Sequence, residues 1–241
     1  MKKAQKDDLT KEFAKIKEEK KEFKRKTRKE KAKQKEEALD AAIAEEEANE
    51  VVDVYDMAAE KDILGQFNAE WLSALGDIKK WNEKKEKLDQ VVEAANTPKL
   101  KPGDYGALFE VLKKMSGDAH AAVSGAAIKS ISALAAGLRE GFKEHGKQAV
   151  PVLFTKFKEK RLVEDILTCL DNILGCTELS ELVEFLPQIE KEKAPATKLN
   201  ILVFLERAIL KTYIDVLEDI KDQLAPLVMK MLEEKDANCR D

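Results

Sequence analysis

The chain has 241 residues, 37% of them charged, yet its formal net charge is only −4. Average domains are nearer ~25% charged, so the surplus belongs on solvated faces or in a tail. No run of about 18 uninterrupted apolar residues is present to cross a bilayer. The Lys-rich stretch after Met1 has no apolar signal core. Three cysteines without an Asn-x-Ser/Thr acceptor fit a reducing compartment.

The charge is unevenly placed. Residues 1–35 hold 16 Lys/Arg and 7 Asp/Glu, a local +9, whereas residues 36–60 hold 10 acids and no base. Within residues 1–50 the apolar content is sparse: Phe13, Ile16, Phe23, Leu39 and Ile43. That is too little for a core. The segment is expected to be a charged linker, either disordered or a single helix held by Glu–Lys pairs four residues apart. As a basic arm it would also suit an acidic partner.

After Val51 the apolar residues take a helical period. Tyr105, Leu108, Phe109, Leu112 and Met115 form one stripe, and Val123, Ala127, Ile131, Leu134 and Leu138 a second. Leu179, Leu182, Val183 and Leu186 form a third, and Leu217, Ile220, Leu224, Leu227 and Met231 a fourth. No alternating strand pattern lies between them, so the body is all-α. Candidate turns near Lys80, Asp118, Lys160, Ala194 and Asp236 recur at roughly 40 residues, the period of a HEAT-type α-solenoid of stacked helix pairs. Pro98, Pro102 and Gly103 join the first pair to the second, and Gly175 ends a helix before Thr177. Asp118 is expected to cap a helix starting at His120. Residues 215–234 read as the first helix of a fifth pair whose second helix would begin near Arg240. The apolar face of Leu217–Met231 is therefore expected to lack a partner, as in a fragment of a longer protein.

Enzyme chemistry finds little support. Two histidines, His120 and His145, and cysteines without CxxC spacing do not suggest a metal site. Cys169 and Cys176 read as small buried apolar residues. Gly141–Lys147 matches the start of a P-loop, but Gln148 stands where the magnesium-holding Ser/Thr belongs and no strand precedes it. The segment reads as a turn between pairs. No cofactor is expected.

In a stack of helix pairs, the turns within pairs emerge along one edge. That edge carries Lys79-Lys80-Trp81, then Asp118-Ala119-His120-Ala121, then Lys160-Arg161, then Thr197-Lys198, then Arg240. A loop Trp suits an interface anchor, whereas Trp71, inside a helix, is expected in the core. The bases form a positive stripe for an acidic surface.

The motifs on this edge resemble those of TOG domains, the HEAT-repeat modules of microtubule polymerases. Tyr55-Asp56-Met57 with Asp62-Ile63-Leu64 resembles the family's entry segment, and Lys79 to Glu86 its first-loop motif. Pro98-Lys99-Leu100 with Gly103-Asp104-Tyr105, Ala133 to Arg139 followed by Phe142, Lys156 to Lys160, and Cys239-Arg240-Asp241 continue the resemblance. It spans about residues 52–241 and is nearest to a second-position TOG domain. The resemblance implies a non-enzymatic module that binds the αβ-tubulin heterodimer and works beside other TOG domains in the same chain. Trp81 would anchor on β-tubulin, supported by Asn82 and Lys84, with His120 and Ala121 as second-loop contacts. Lys160, Arg161, Lys198 and Arg240 would run towards α-tubulin. His120 and Ala121 stand where the family commonly has Asn and Val, and Lys84 where it often has Arg, which implies weaker binding. The resemblance places such proteins at microtubule plus ends, spindle and centrosome and makes the arm a linker between domains, whose basic charge would suit the microtubule lattice. Nucleic acid and membrane are not expected partners. The rival readings are a HEAT scaffold for another protein and a TOG-like domain that no longer binds tubulin.

Overall fold

The computed structural model describes residues 54–233, which belong to a unit running from Asp53 to Asp241. The linker expected at residues 1–50, the turn near Asp236 and Arg240 all lie outside the described residues. Among the described residues all regular elements are helical, with one isolated parallel bridge between Lys61 and Leu100.

A short entry helix, α1 (Val54–Met57), precedes four helix pairs. The first pair is α2 (Ala69–Asp77) with α3 (Trp81–Ala95), and the second is α4 (Gly106–Ser116) with α5 (Ala121–Leu138). The third is α6 (Lys143–Lys156) with α7 (Val163–Leu174). In the fourth, the leading helix is broken into α8 (Leu179–Leu182), a 3-10 turn and α9 (Gln188–Lys191), followed by α10 (Pro195–Lys211). A fifth leading helix, α11 (Ile214–Leu232), follows.

Local chemistry sets the starts of several helices. The Asn68 side chain accepts the Trp71 N–H at the start of α2. Pro195 occupies the first turn of α10, where its missing donor costs nothing. Asp118 does not cap a helix starting at His120. The helix begins one residue later with His120 as N-cap, and Asp118 instead accepts the His120 N–H in a turn.

The second helices form one layer, with α3 against α5, α5 against α7 and α7 against α10. The leading helices form the other, in the order α2, α4, α6, α8, α11. Every residue of the Tyr105–Met115 and Val123–Leu138 stripes is buried. Helix α5 is apolar around most of its circumference because neighbours cover it on several sides. Aromatic contacts run between pairs: Phe109 lies 5.7 Å from Phe142, and Phe154 lies 6.0 Å from Phe204.

Three expectations change. Trp71 is only half-buried, packed edge-on against Phe67 at 4.8 Å with the Lys87 ammonium over its ring. The P-loop look-alike is not wholly a turn, since His145, Gly146 and Lys147 lie inside α6 and Gly146 meets Ile173. The α11 stripe has a partner: Ile220, Leu224, Leu227 and Met231 are buried, with α8 and the turn Val183–Phe185 packed against the helix. The exposed large apolar residues near this end are instead Leu210, Tyr213, Ile214, Val228, Met229 and Leu232.

Turns between pairs make the other edge. Here the Leu100 N–H donates to the Gly137 carbonyl at 2.8 Å, and a Cβ on Gly137 would sit 2.8 Å from Leu100 Cγ and Cδ1. Glu181 ties the fourth pair to the third, accepting the Thr177 hydroxyl at 2.6 Å and pairing with Lys143 at 2.9 Å. Those partners, the hydroxyl first and then the ammonium, hold the Glu181 carboxyl at about 2 against burial, below its ordinary 4.5.

Helix propensity alone favours Gly137→Ala by ~1 kcal/mol. The close approach of Leu100 reverses the sign, so Gly137→Ala should lower stability by about 1–3 kcal/mol in urea denaturation. The depressed Glu181 carboxyl contributes stability that is complete above pH 4.5 and lost as pH falls towards about 2. Urea midpoints measured from pH 5 to 2 should therefore fall less steeply for Glu181→Gln than for the wild-type chain.

A loop edge as candidate docking site

Trp81 is the first residue of α3, after Lys80 in an extended conformation, and His120 is the extended N-cap of α5. The two residues occupy nearly equivalent places in adjacent pairs, so packing α3 on α5 brings their rings together. The ring centroids lie 4.3 Å apart with planes 12° from parallel. His120 thus covers one face of the indole, while Trp81 remains 48% exposed. An aromatic side chain both exposed and fixed is an economical anchor, because little ordering is left for binding.

Lys79, Lys80, Asn82, Lys84 and Asp118 line a cleft of about 510 Å³ with these rings. Lys80 is exposed and pairs with Glu83 at 2.9 Å. Lys84 is different. Its ammonium lies 3.3 Å from Asp118 Oδ2 and both side chains are largely covered. Burial works against the Asp118 carboxylate, but the His120 N–H and the Lys84 ammonium outweigh it and hold the carboxyl below its ordinary range.

The third loop runs from Phe157 into a 3-10 turn, Lys160–Leu162, where Lys160 and Arg161 are exposed. Lys156 reaches back from its base to the Asp118 carbonyl at 2.6 Å. In the fourth loop, Glu192 accepts the Lys193 and Ala194 N–H groups and pairs with Lys158 at 3.4 Å. Lys198 lies half-buried in the first turn of α10.

No protein-family model matches the chain. Centrosomal protein 224 of Dictyostelium discoideum is 31% identical over 203 residues, covering 82% of this chain and 10% of that protein. Protein mini spindles of Drosophila melanogaster is 32% identical over 216 residues, covering 84% and 10%. A solved structure concerning microtubule plus end tracking by XMAP215, CLIP-170 and EB1 superposes with a TM-score of 0.71 at 30% identity, covering 77% of this chain and 78% of that one. The chain belongs to the TOG domains of the XMAP215/MOR1/mini spindles family. Its fold is the HEAT-repeat α-solenoid of a TOG domain. A second solved structure, from TOG-array microtubule polymerases, shares that fold with a TM-score of 0.68 at 22% identity, covering 76% of this chain and 40% of the other. The chain spans about a tenth of the length of the curated relatives it matches.

On this TOG domain, Trp81, Asn82, Lys84 and His120 meet at one cleft, with Ala121 half-buried just behind. Lys160 and Arg161 stand on the next loop rather than in the cleft. Arg240 lies outside the described residues. Sequence reading missed the ring stack and the inward roles of Asp118, Lys156 and Glu192. The expected cap at Asp118 is the one signal for any of them, since its carboxylate does accept a backbone N–H. Away from this edge, a cavity of about 390 Å³ opens near Leu174, Leu179, Tyr213 and Val216.

The described cysteines are free thiols in the core. Burial pushes Cys169 strongly upward, and pushes Cys176 to about 12 despite the nearby Arg139 charge. A Cys239→Ser chain should therefore show no fast reaction with DTNB at pH 8, and should release both thiols only on denaturation.

Proposed function

We propose that this domain binds the αβ-tubulin heterodimer through its loop edge, within a microtubule polymerase or plus-end assembly factor that regulates microtubule dynamics. The observation that carries the reading is Trp81: half exposed, held by His120 and set beside Lys79 and Lys80, with the exposed bases Lys160 and Arg161 on the third loop. Its indole is the central anchor, a residue type that dominates interface energetics when it enters a pocket on the partner. The exposed bases steer an acidic surface and set orientation, which acts more on association rate and specificity than on affinity. Asn82, Ala121 and Lys198 complete the contact row, and Arg240 would join it by family resemblance. The module acts by docking and carries out no reaction.

Family membership supports this reading. Relatives include the mini spindles protein, a centrosomal protein and the fission-yeast spindle pole body component alp14, names that place those proteins at spindle and centrosome. By the same reasoning this chain works in the cytoplasm, on the cytoskeleton and at microtubule plus ends, beside other TOG domains. The first-loop and inter-pair motifs favour the second position in such an array. The basic residues before position 36 suit the acidic microtubule lattice, with residues 1–50 as the linker that presents them.

Size-exclusion chromatography of the chain with αβ-tubulin tests the docking. Co-elution is expected at low salt, with weaker association as salt screens the exposed bases. Trp81→Ala should weaken binding tenfold or more, to about 1.4 kcal/mol or beyond, without lowering the melting temperature. Absence of co-elution at low salt would sink the tubulin reading. Equal binding by Trp81→Ala would remove the anchor.

A further inference from the structure

Resting on that reading of the edge, we propose that Asp118 is a positioning residue that holds the first three loops as one pre-organised surface without itself touching the bound partner. Asp118 is an acid on an edge that exposes Lys79, Lys80, Lys160 and Arg161, and each of its polar groups has a partner within the domain. Its N–H donates to the Met115 carbonyl at 3.0 Å. Oδ1 accepts the His120 N–H at 2.8 Å, and Oδ2 accepts the Lys84 ammonium at 3.3 Å. Its carbonyl accepts Lys156 Nζ at 2.6 Å, and that ammonium also pairs with Glu159 at 2.8 Å. Lys84 comes from the first pair, His120 from the second and Lys156 from the third. One residue therefore joins three loops.

Exposure separates this cluster from the contact residues. The Lys84, Asp118 and Lys156 side chains are 20%, 22% and 12% exposed, against 74% for Lys80. Charges withdrawn from water to this extent depend on their partners, and removing one strands the others. Through the His120 amide the cluster also sets where the imidazole lies, and the imidazole fixes the indole of Trp81. Lys84 accordingly belongs to the support rather than the contact row.

The fourth loop repeats the device. Glu192, 15% exposed, accepts the N–H of Ala194 two residues on and takes Lys158 from the preceding pair. An exposed carboxylate at either place would repel an acidic partner. Folded in, each instead ties its loop to a neighbouring pair, so that less freedom remains to be lost on docking.

The test uses the full chain in a Trp71→Phe background, where Trp81 is the sole tryptophan. Acrylamide quenching and fluorescence anisotropy of the free chain read the anchor, and co-elution titrations read tubulin binding. Asp118→Ala should raise the Trp81 quenching constant about twofold, lower its anisotropy and weaken tubulin binding about fivefold, although every contact residue is intact. Asp118→Asn, which keeps an oxygen for the His120 N–H but loses the carboxylate that holds Lys84, should give intermediate values of both signals. A merely structural turn residue would lower the melting temperature and leave Trp81 quenching unmoved. That result, with unchanged tubulin affinity, overturns the proposal. Should Asp118→Ala not fold, Lys84→Met withdraws the same ion pair while keeping the aliphatic stem. Increased Trp81 quenching in that variant supports the proposal, and unchanged quenching overturns it. The free-chain measurement is independent of tubulin, so a chain that fails to bind tubulin still decides the role of Asp118.

Discussion

Burial of α5 between its neighbours is the constraint from which the geometry of the loop edge follows. Ala121–Leu138 has so little polar surface that α3, α4 and α7 must all lie against it. Side-by-side packing of α3 and α5 brings the starts of both helices, with the loops that lead into them, to the same edge. A Trp at one helix start and a His at the next then meet face to face, although 39 positions separate them. The proposed docking site is a by-product of core packing. No catalytic-style constellation is needed to build it.

Inside the stack the pairs are joined by apolar contact, and along the edge they are joined by lysines. Lys84 and Lys156 both end on Asp118, and Lys158 ends on Glu192. Apolar packing is tolerant of small slides, whereas a charge-assisted hydrogen bond has a narrow range of distance and direction. The two therefore divide the work: the core sets which helices are neighbours, and the lysine bridges set how their loops stand relative to one another. The bases left exposed, Lys79, Lys80, Lys160 and Arg161, remain available for long-range attraction.

Much of this fold was legible in the amino-acid order. Apolar stripes at helical spacing became buried stripes, and turns at Lys80, Lys160 and Ala194 became loops within pairs because few other residues there could continue an apolar face. The misread positions share a cause. Trp71 has the composition of a core residue, but it is only half-buried, against Phe67 and under the Lys87 ammonium. Gly146 looks like a loop glycine, yet it lies in a helix where Ile173 comes within 3.1 Å of where its Cβ would be. The α11 stripe looked unpartnered because periodicity names a face without naming its neighbour; α8 and the turn after it cover that face.

By itself the sequence determined the helical period, the pairing of helices and the residue types on the loop edge, since each follows from spacing along one chain. It also placed Trp81 on the first loop after two lysines, where the structure makes it the first residue of α3. Only the tertiary structure decided that His120 covers one side of the indole, and that Lys84 is held by Asp118 while Lys80 is exposed. Those outcomes depend on which pairs become neighbours and how closely they approach. A lysine is a contact or a brace according to whether a carboxylate from another pair lies within about 3–4 Å of its ammonium, and sequence spacing carries no record of that distance.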